Sequence, residues 1–156
     1  MKLLENSDWI KYSPYDRFSY FIAPKIDRCK TLLQTVEKLD LNSFVVQIEE
    51  KNHIFIFPPG KTLPRMKGGA AAQSGRGFPF AGDSPFLFTA HYDRVEGSPG
   101  ANDNSIAVFH LLRAASLLSK RKISSWMIIF TDKEEISAGE SLEEQGSFSL
   151  AQRLKT

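Results

Sequence analysis

The 156-residue chain is 42% hydrophobic and 12% aromatic, enough apolar material for one core and enough length for one domain, which excludes disorder throughout. Twenty Lys and Arg against eighteen Asp and Glu leave a net charge of +2, and the basic residues are spread along the chain, so nucleic acid is not the implied partner. No stretch approaches roughly eighteen apolar residues, and MKLLENSDWIKY lacks the apolar run of a secretory signal; the expectations are no membrane partner and a cytoplasmic location.

Pro24, Ile26, Cys29, Leu32, Leu33, Val36 and Leu39 stand at three- and four-residue steps and predict an amphipathic helix opened by the proline. Cys29 is the only cysteine, so there is no internal disulfide and no cysteine-cluster zinc site; on this helix it reads as a small core residue. The β-rich runs 44–48 and 53–57 predict a hairpin closed by the four residues Glu49, Glu50, Lys51 and Asn52, with His53 in a structural role.

From Pro58 to Pro85 the composition turns to Gly, Pro, Ser and Ala, which predicts a long flexible surface loop. Gly60, Lys61 and Thr62 look like the end of a phosphate-binding loop, but Phe55 stands where its first glycine belongs and no strand-to-helix context follows. Beyond the loop, 85–90 reads as an apolar strand, 105–120 as a helix and 125–131 as a second apolar strand: a βαβ unit with a parallel, buried sheet. The helix confines its polar residues to His110, Arg113, Ser116 and Lys120, a solvated stripe on an otherwise covered surface. A last helix is predicted over 147–154, with Glu143 and Glu144 as helix-surface acids.

Three polar clusters fall at the carboxyl ends of these elements, where open α/β sheets place their sites. His91, Tyr92 and Asp93 follow PFLFTA; Asp103 lies in the turn Pro99-Gly100-Ala101-Asn102-Asp103-Asn104; Glu134 and Glu135 follow WMIIFTD. Each alone is ordinary: a strand-end histidine, a helix cap, a solvated acidic pair. Together they supply imidazole and carboxylates, the donors zinc takes, with Asp93 placed to orient a ligating His91. Asp103 suits a carboxylate shared by two cations, and of the paired glutamates one can bind metal while its neighbour takes a proton from water.

HYDRVEGSPGANDNSIAVFHLLRAASLL followed by WMIIFTDKEE resembles the di-zinc aminopeptidases, whose relatives include glutaminyl cyclases and carboxypeptidases. The resemblance covers about residues 85–141 and implies a three-layer α/β/α sandwich, phosphorylase/hydrolase-like, with a mixed, mostly parallel sheet. It implies two zinc ions, with His91 a ligand of one, Glu135 of the other, Asp103 between them, Asp93 orienting His91 and Glu134 the general base. Arg94 replaces a residue that is small in the family. The family's remaining aspartate and histidine ligands come from segments downstream of the glutamate pair, so residues 1–156 are expected to be a single catalytic domain incomplete at its C-terminus.

The implied activity is release of N-terminal residues from peptides, with a glutaminyl-cyclase-like acyl transfer as the second reading. A third is a remnant or split half, inactive alone, that self-associates or needs a complementing chain. No Gly-x-Ser-x-Gly surrounds any serine and Cys29 has no paired histidine, so serine and cysteine catalysis are not expected.

Overall fold

The computed structural model describes residues 14–60, 86–135, 139 and 141–155. In chain order these form α1 (Pro14–Phe21), α2 (Arg28–Lys38), β1 (Asn42–Ile48), β2 (Lys51–Phe57), β3 (Phe86–His91), α3 (Ile106–Lys120), β4 (Trp126–Thr131) and α4 (Gly146–Lys155). The expected loop at 58–85 lies almost wholly outside the described residues.

Helix α2 starts four residues later than expected. Lys25 takes a φ of +63°, which a helix cannot continue, and the Asp27 side chain instead accepts the Lys30 amide at 2.9 Å as the N-cap. The hairpin is also tighter than expected, because Ile48 pairs with Lys51 and only Glu49 and Glu50 make the turn. Glu49 takes φ +54°, the left-handed conformation that two-residue hairpin turns ask for.

The described strands form one sheet in the order β1-β2-β4-β3, with β3 and β4 parallel and the other two pairings antiparallel. The sheet is thus mixed, as expected, but the parallel excess is not in these four strands. Alternation sorts the side chains onto two faces. Ile54, Ile56, Trp126, Ile128 and Phe130 pack against Leu32 and Val36 of α2 and Val108, Leu112 and Ala115 of α3, while Phe55, Met127 and Ile129 meet Leu150 of α4 on the other face. Helices on both faces make the three layers. Helix α3 is covered on one side only: Ile106 and Leu117 are exposed together with the expected His110 and Arg113.

Two connections aim the carboxyl ends of the sheet. Tyr92 continues the β3 ladder by donating its amide to Thr131 O, and the Asn52 amide donates to the Asp132 carboxylate at 2.9 Å, tying the hairpin to the end of β4. Helix α4 then begins against that end, its Gly146 amide donating to Lys133 O at 2.9 Å. The approach is so close that a Cβ on Gly146 would overlap the Asp132 carbonyl and press on His53. Gly146→Ala is therefore expected to push α4 off the sheet and to lower the unfolding free energy by about 1–3 kcal/mol, the usual range for overpacking; urea denaturation measures it, and an unchanged midpoint would mean that α4 is not seated as described.

Candidate functional site

His91 is the last residue of β3, and the parallel register puts it opposite Thr131, the last of β4. Both chains leave the sheet at this level. After β4, Asp132 Oδ1 accepts the Lys133 amide and Lys133 takes φ +57°, turning the chain so that Glu134 and Glu135 face back across the strand ends. After β3 the chain runs through Asp93 into the turn Ala101–Ser105, where Asp103 (φ −117°, ψ 93°) and Asn104 are non-helical. That turn is tied to Gly100, whose carbonyl accepts both the amide and the hydroxyl of Ser105.

These paths bring four of the five residues singled out from the sequence, His91, Asp103, Glu134 and Glu135, to one cleft, with Asp93 bonded to two of them from behind. His91 Nε2 lies 2.9 Å from Asp103 Oδ1 and His91 Nδ1 3.3 Å from Asp93 Oδ1, while the second oxygen of Asp93 accepts the Glu135 amide at 3.0 Å. Asp93 therefore spans from the imidazole to the backbone of the acidic pair. Ligand atoms of His91, Asp103 and Glu135 all lie within 4.8 Å of one another, the single cluster of this kind among the described residues. The cleft, about 570 Å³, has these residues and Glu134 at its polar end and Leu87, Ile129 and Leu150 along an apolar wall.

The charges respond to this crowding. Hydrogen bonding to Asp93 raises His91 from the ordinary 6.5 to about 9, against the opposing effect of burial and with help from Asp103. Burial alone would raise Asp93, but the bonds from His91 and from the amides of Glu135 and Glu134 outweigh it and leave its pKa lowered. Burial, then the charge of Asp103, push Glu135 upward. The two carboxylates on either side of the His91 ring thus favour its protonated form.

Glu134 is placed differently. Its two oxygens accept the Ser147 amide at 2.6 Å and the Ser147 hydroxyl at 2.7 Å at the start of α4, and its carbonyl accepts Gln145 Nε2 at 3.1 Å. An acid at a helix N-terminus satisfies a free amide and meets the positive end of the helix dipole.

Sequence reasoning missed Ser147, which reads only as a helix start, and Arg28. The Arg28 guanidinium is buried and donates to Tyr92 O and Asp93 O from Nη1 and to Pro99 O from Nη2. A signal was available, because Arg28 precedes Leu32 by four residues and so lies on the apolar face of its helix. Of the other polar side chains weighed, His53 is fully buried and His110 is exposed. Glu143 and Glu144 are exposed in a one-turn 3-10 helix ahead of α4, not on its surface.

Two consequences can be measured on the metal-free chain. A group whose folded pKa is raised contributes stability that is fully present below its unfolded value and lost as the pH passes its folded one. The His91 contribution is therefore expected to be complete below about 6.5 and to disappear as the pH rises through about 9. Urea unfolding of the native chain should lose stability across that window while His91→Gln follows a flatter curve; parallel curves would refute the imidazolium. Gly100 has φ +56°, and a Cβ there would stand 2.7 Å from Arg94 Cβ and 3.0 Å from Asp103 O. Gly100→Ala is expected to cost about 1–2 kcal/mol from the left-handed backbone alone, and a stability equal to wild type by the same assay would contradict it.

Comparison with known proteins adds a sequence match and a fold match. The sequence profile of peptidase family M28 matches residues 75–153, just over half of the chain. Among solved structures, the glutaminyl cyclase of the flatworm Macrostomum lignano aligns with 98% of this chain at a TM-score of 0.57 and 16% identity. The chain spans 49% of the length of that structure. No curated protein resembles the chain closely enough to match.

Proposed function

The chain belongs to peptidase family M28, a family of zinc-dependent hydrolases and cyclases, and from that premise we propose that its cleft is a zinc site that hydrolyses the N-terminal peptide bond of peptides. The observation that carries the reading is the convergence of His91, Asp103 and Glu135 from three separate segments within 4.8 Å. One imidazole and two carboxylates suit zinc, and three protein donors with an open position is the usual catalytic arrangement. When bound, zinc supplies the Lewis acidity that polarises a scissile carbonyl.

The remaining work falls to the side chains. Asp93 fixes the ring of His91 by accepting at Nδ1, so that Nε2 is the nitrogen offered to the cation. Glu134 accepts the proton of the attacking water and returns it to the leaving amine. Its carboxylate has about four acceptor positions, so the two bonds from Ser147 orient it without filling it. The apolar wall of Leu87, Ile129 and Leu150 sets a dry side to the cleft. In the two-ion form that the resemblance implies, His91 would hold one ion and Glu135 the other, and Asp103 would be shared.

A second reading, acyl transfer that cyclises an N-terminal glutamine, draws on the fold likeness to a glutaminyl cyclase and would use the same donor cluster. In that reaction Glu134 shuttles the proton and no water attacks.

Calorimetric zinc titration of the 156-residue chain tests the metal assignment. The wild type is expected to bind zinc, Asp103→Ala and Glu135→Ala to lose binding, and Asp93→Asn to weaken it about 10–100-fold. Because zinc must displace the proton from His91, affinity is expected to climb as the pH approaches 9. Where aminoacyl-anilide turnover is detected, Glu134→Gln should abolish it while leaving zinc bound; cyclisation of glutaminyl peptides without anilide hydrolysis would favour the second reading, and absence of zinc binding would end both.

A further inference from the structure

We infer that Arg28 is a positioning residue for the zinc donors: from the first turn of α2, one buried guanidinium fastens together the main chain of the two segments that bring His91 and Asp103 to the cleft. The inference rests on the zinc reading above for its purpose, though the fastening itself is independent of it.

Arg28 is 6% exposed. Its Nη1 donates to Tyr92 O at 2.9 Å and Asp93 O at 3.2 Å, and its Nη2 to Pro99 O at 2.9 Å, while the ring of Phe21 lies 5.1 Å from the guanidinium carbon. Tyr92 and Asp93 directly follow His91, and Pro99 leads into the turn that carries Asp103. One planar group therefore sets the separation of two loops that share no strand pairing at this point.

Gly100 makes the approach feasible, since a Cβ there would stand 3.3 Å from Nη2 as well as against Arg94. Burying a cation is costly unless its donors are used; Nη1 and Nη2 are used on main-chain carbonyls, which fix backbone in place, while the buried Nε has no partner among the described residues. Burial and the nearby Arg94 lower the Arg28 pKa only to about 10, so it remains charged near neutral pH. A lysine would keep the charge but lose the fork, because a single ammonium cannot reach both loops in the plane a guanidinium spans.

The alternative is that Arg28 merely holds α2 to the core. Val36→Ala provides the comparison, since Val36 is a fully buried residue of the same helix whose apolar side chain offers no hydrogen bond to either segment. Three variants, Arg28→Gln, Arg28→Lys and Val36→Ala, are compared with wild type by zinc calorimetry, thermal unfolding and amide hydrogen exchange of the metal-free chain. Both Arg28 variants are expected to weaken zinc binding by about 10–100-fold, the range for lost ligand-supporting contacts, and to speed exchange across residues 91–105. Val36→Ala is expected to lower the unfolding midpoint while zinc affinity stays within about twofold. Wild-type affinity and exchange in Arg28→Lys would overturn the inference, as would a loss of affinity in Val36→Ala that tracks its midpoint. If the wild type binds no zinc, the proposed function fails, and the exchange data alone decide whether Arg28 orders the two loops.

Discussion

Pairing β3 with β4 in parallel, His91 opposite Thr131, brings two strands forty residues apart in sequence to an end at the same level of the sheet. Everything at the cleft depends on that register. A shift by one residue would turn His91 to the α3 face and bury it among Val108 and Leu112, and it would carry the acidic pair away from Asp103. The register is secured by burial: all six residues of β4 are buried, with Trp126, Ile128 and Phe130 on one face and Met127 and Ile129 on the other, so neither face can be exchanged for the other without exposing core.

Over this frame the polar groups settle each other's charge. Asp93 is the hub, since one oxygen faces the imidazole and the other accepts an amide of the acidic pair, and the site geometry is written as much in backbone hydrogen bonds as in side chains. The same principle recurs at its edges. Glu134 is held by the first residues of α4, and the connection between His91 and Asp103 is held near both its ends by Arg28. Donor residues at strand ends have little support of their own, so neighbouring elements provide it.

Much of this was legible in the sequence because it is local or periodic. The apolar runs of β3, α3 and β4, with polar residues directly after the strands, specify a βαβ unit and the end at which its chemistry lies. What escaped depends on contacts between distant residues. The sequence shows only that Arg28 shares the apolar face of its helix, and its role waits on partners 64 to 71 residues away; Ser147 reads as a helix start until Glu134 is seen to reach it. The N-cap at Asp27 was hidden by a proline that looked like a better opening, and the two-residue hairpin turn by the polarity of Lys51 and Asn52, which are strand residues nonetheless. Helix α1 was not anticipated at all: eight residues offer too few turns for a period to stand out.

The outer face of β3 has one further implication. Among the described residues β3 pairs only with β4, and Phe86, Leu87 and Phe88 are 75%, 53% and 41% exposed. An edge of this kind is a template for sheet growth. A strand added along it would carry the alternation of Phe86, Leu87 and Phe88 onward, and the row continuing from Leu87 would widen the apolar wall of the cleft.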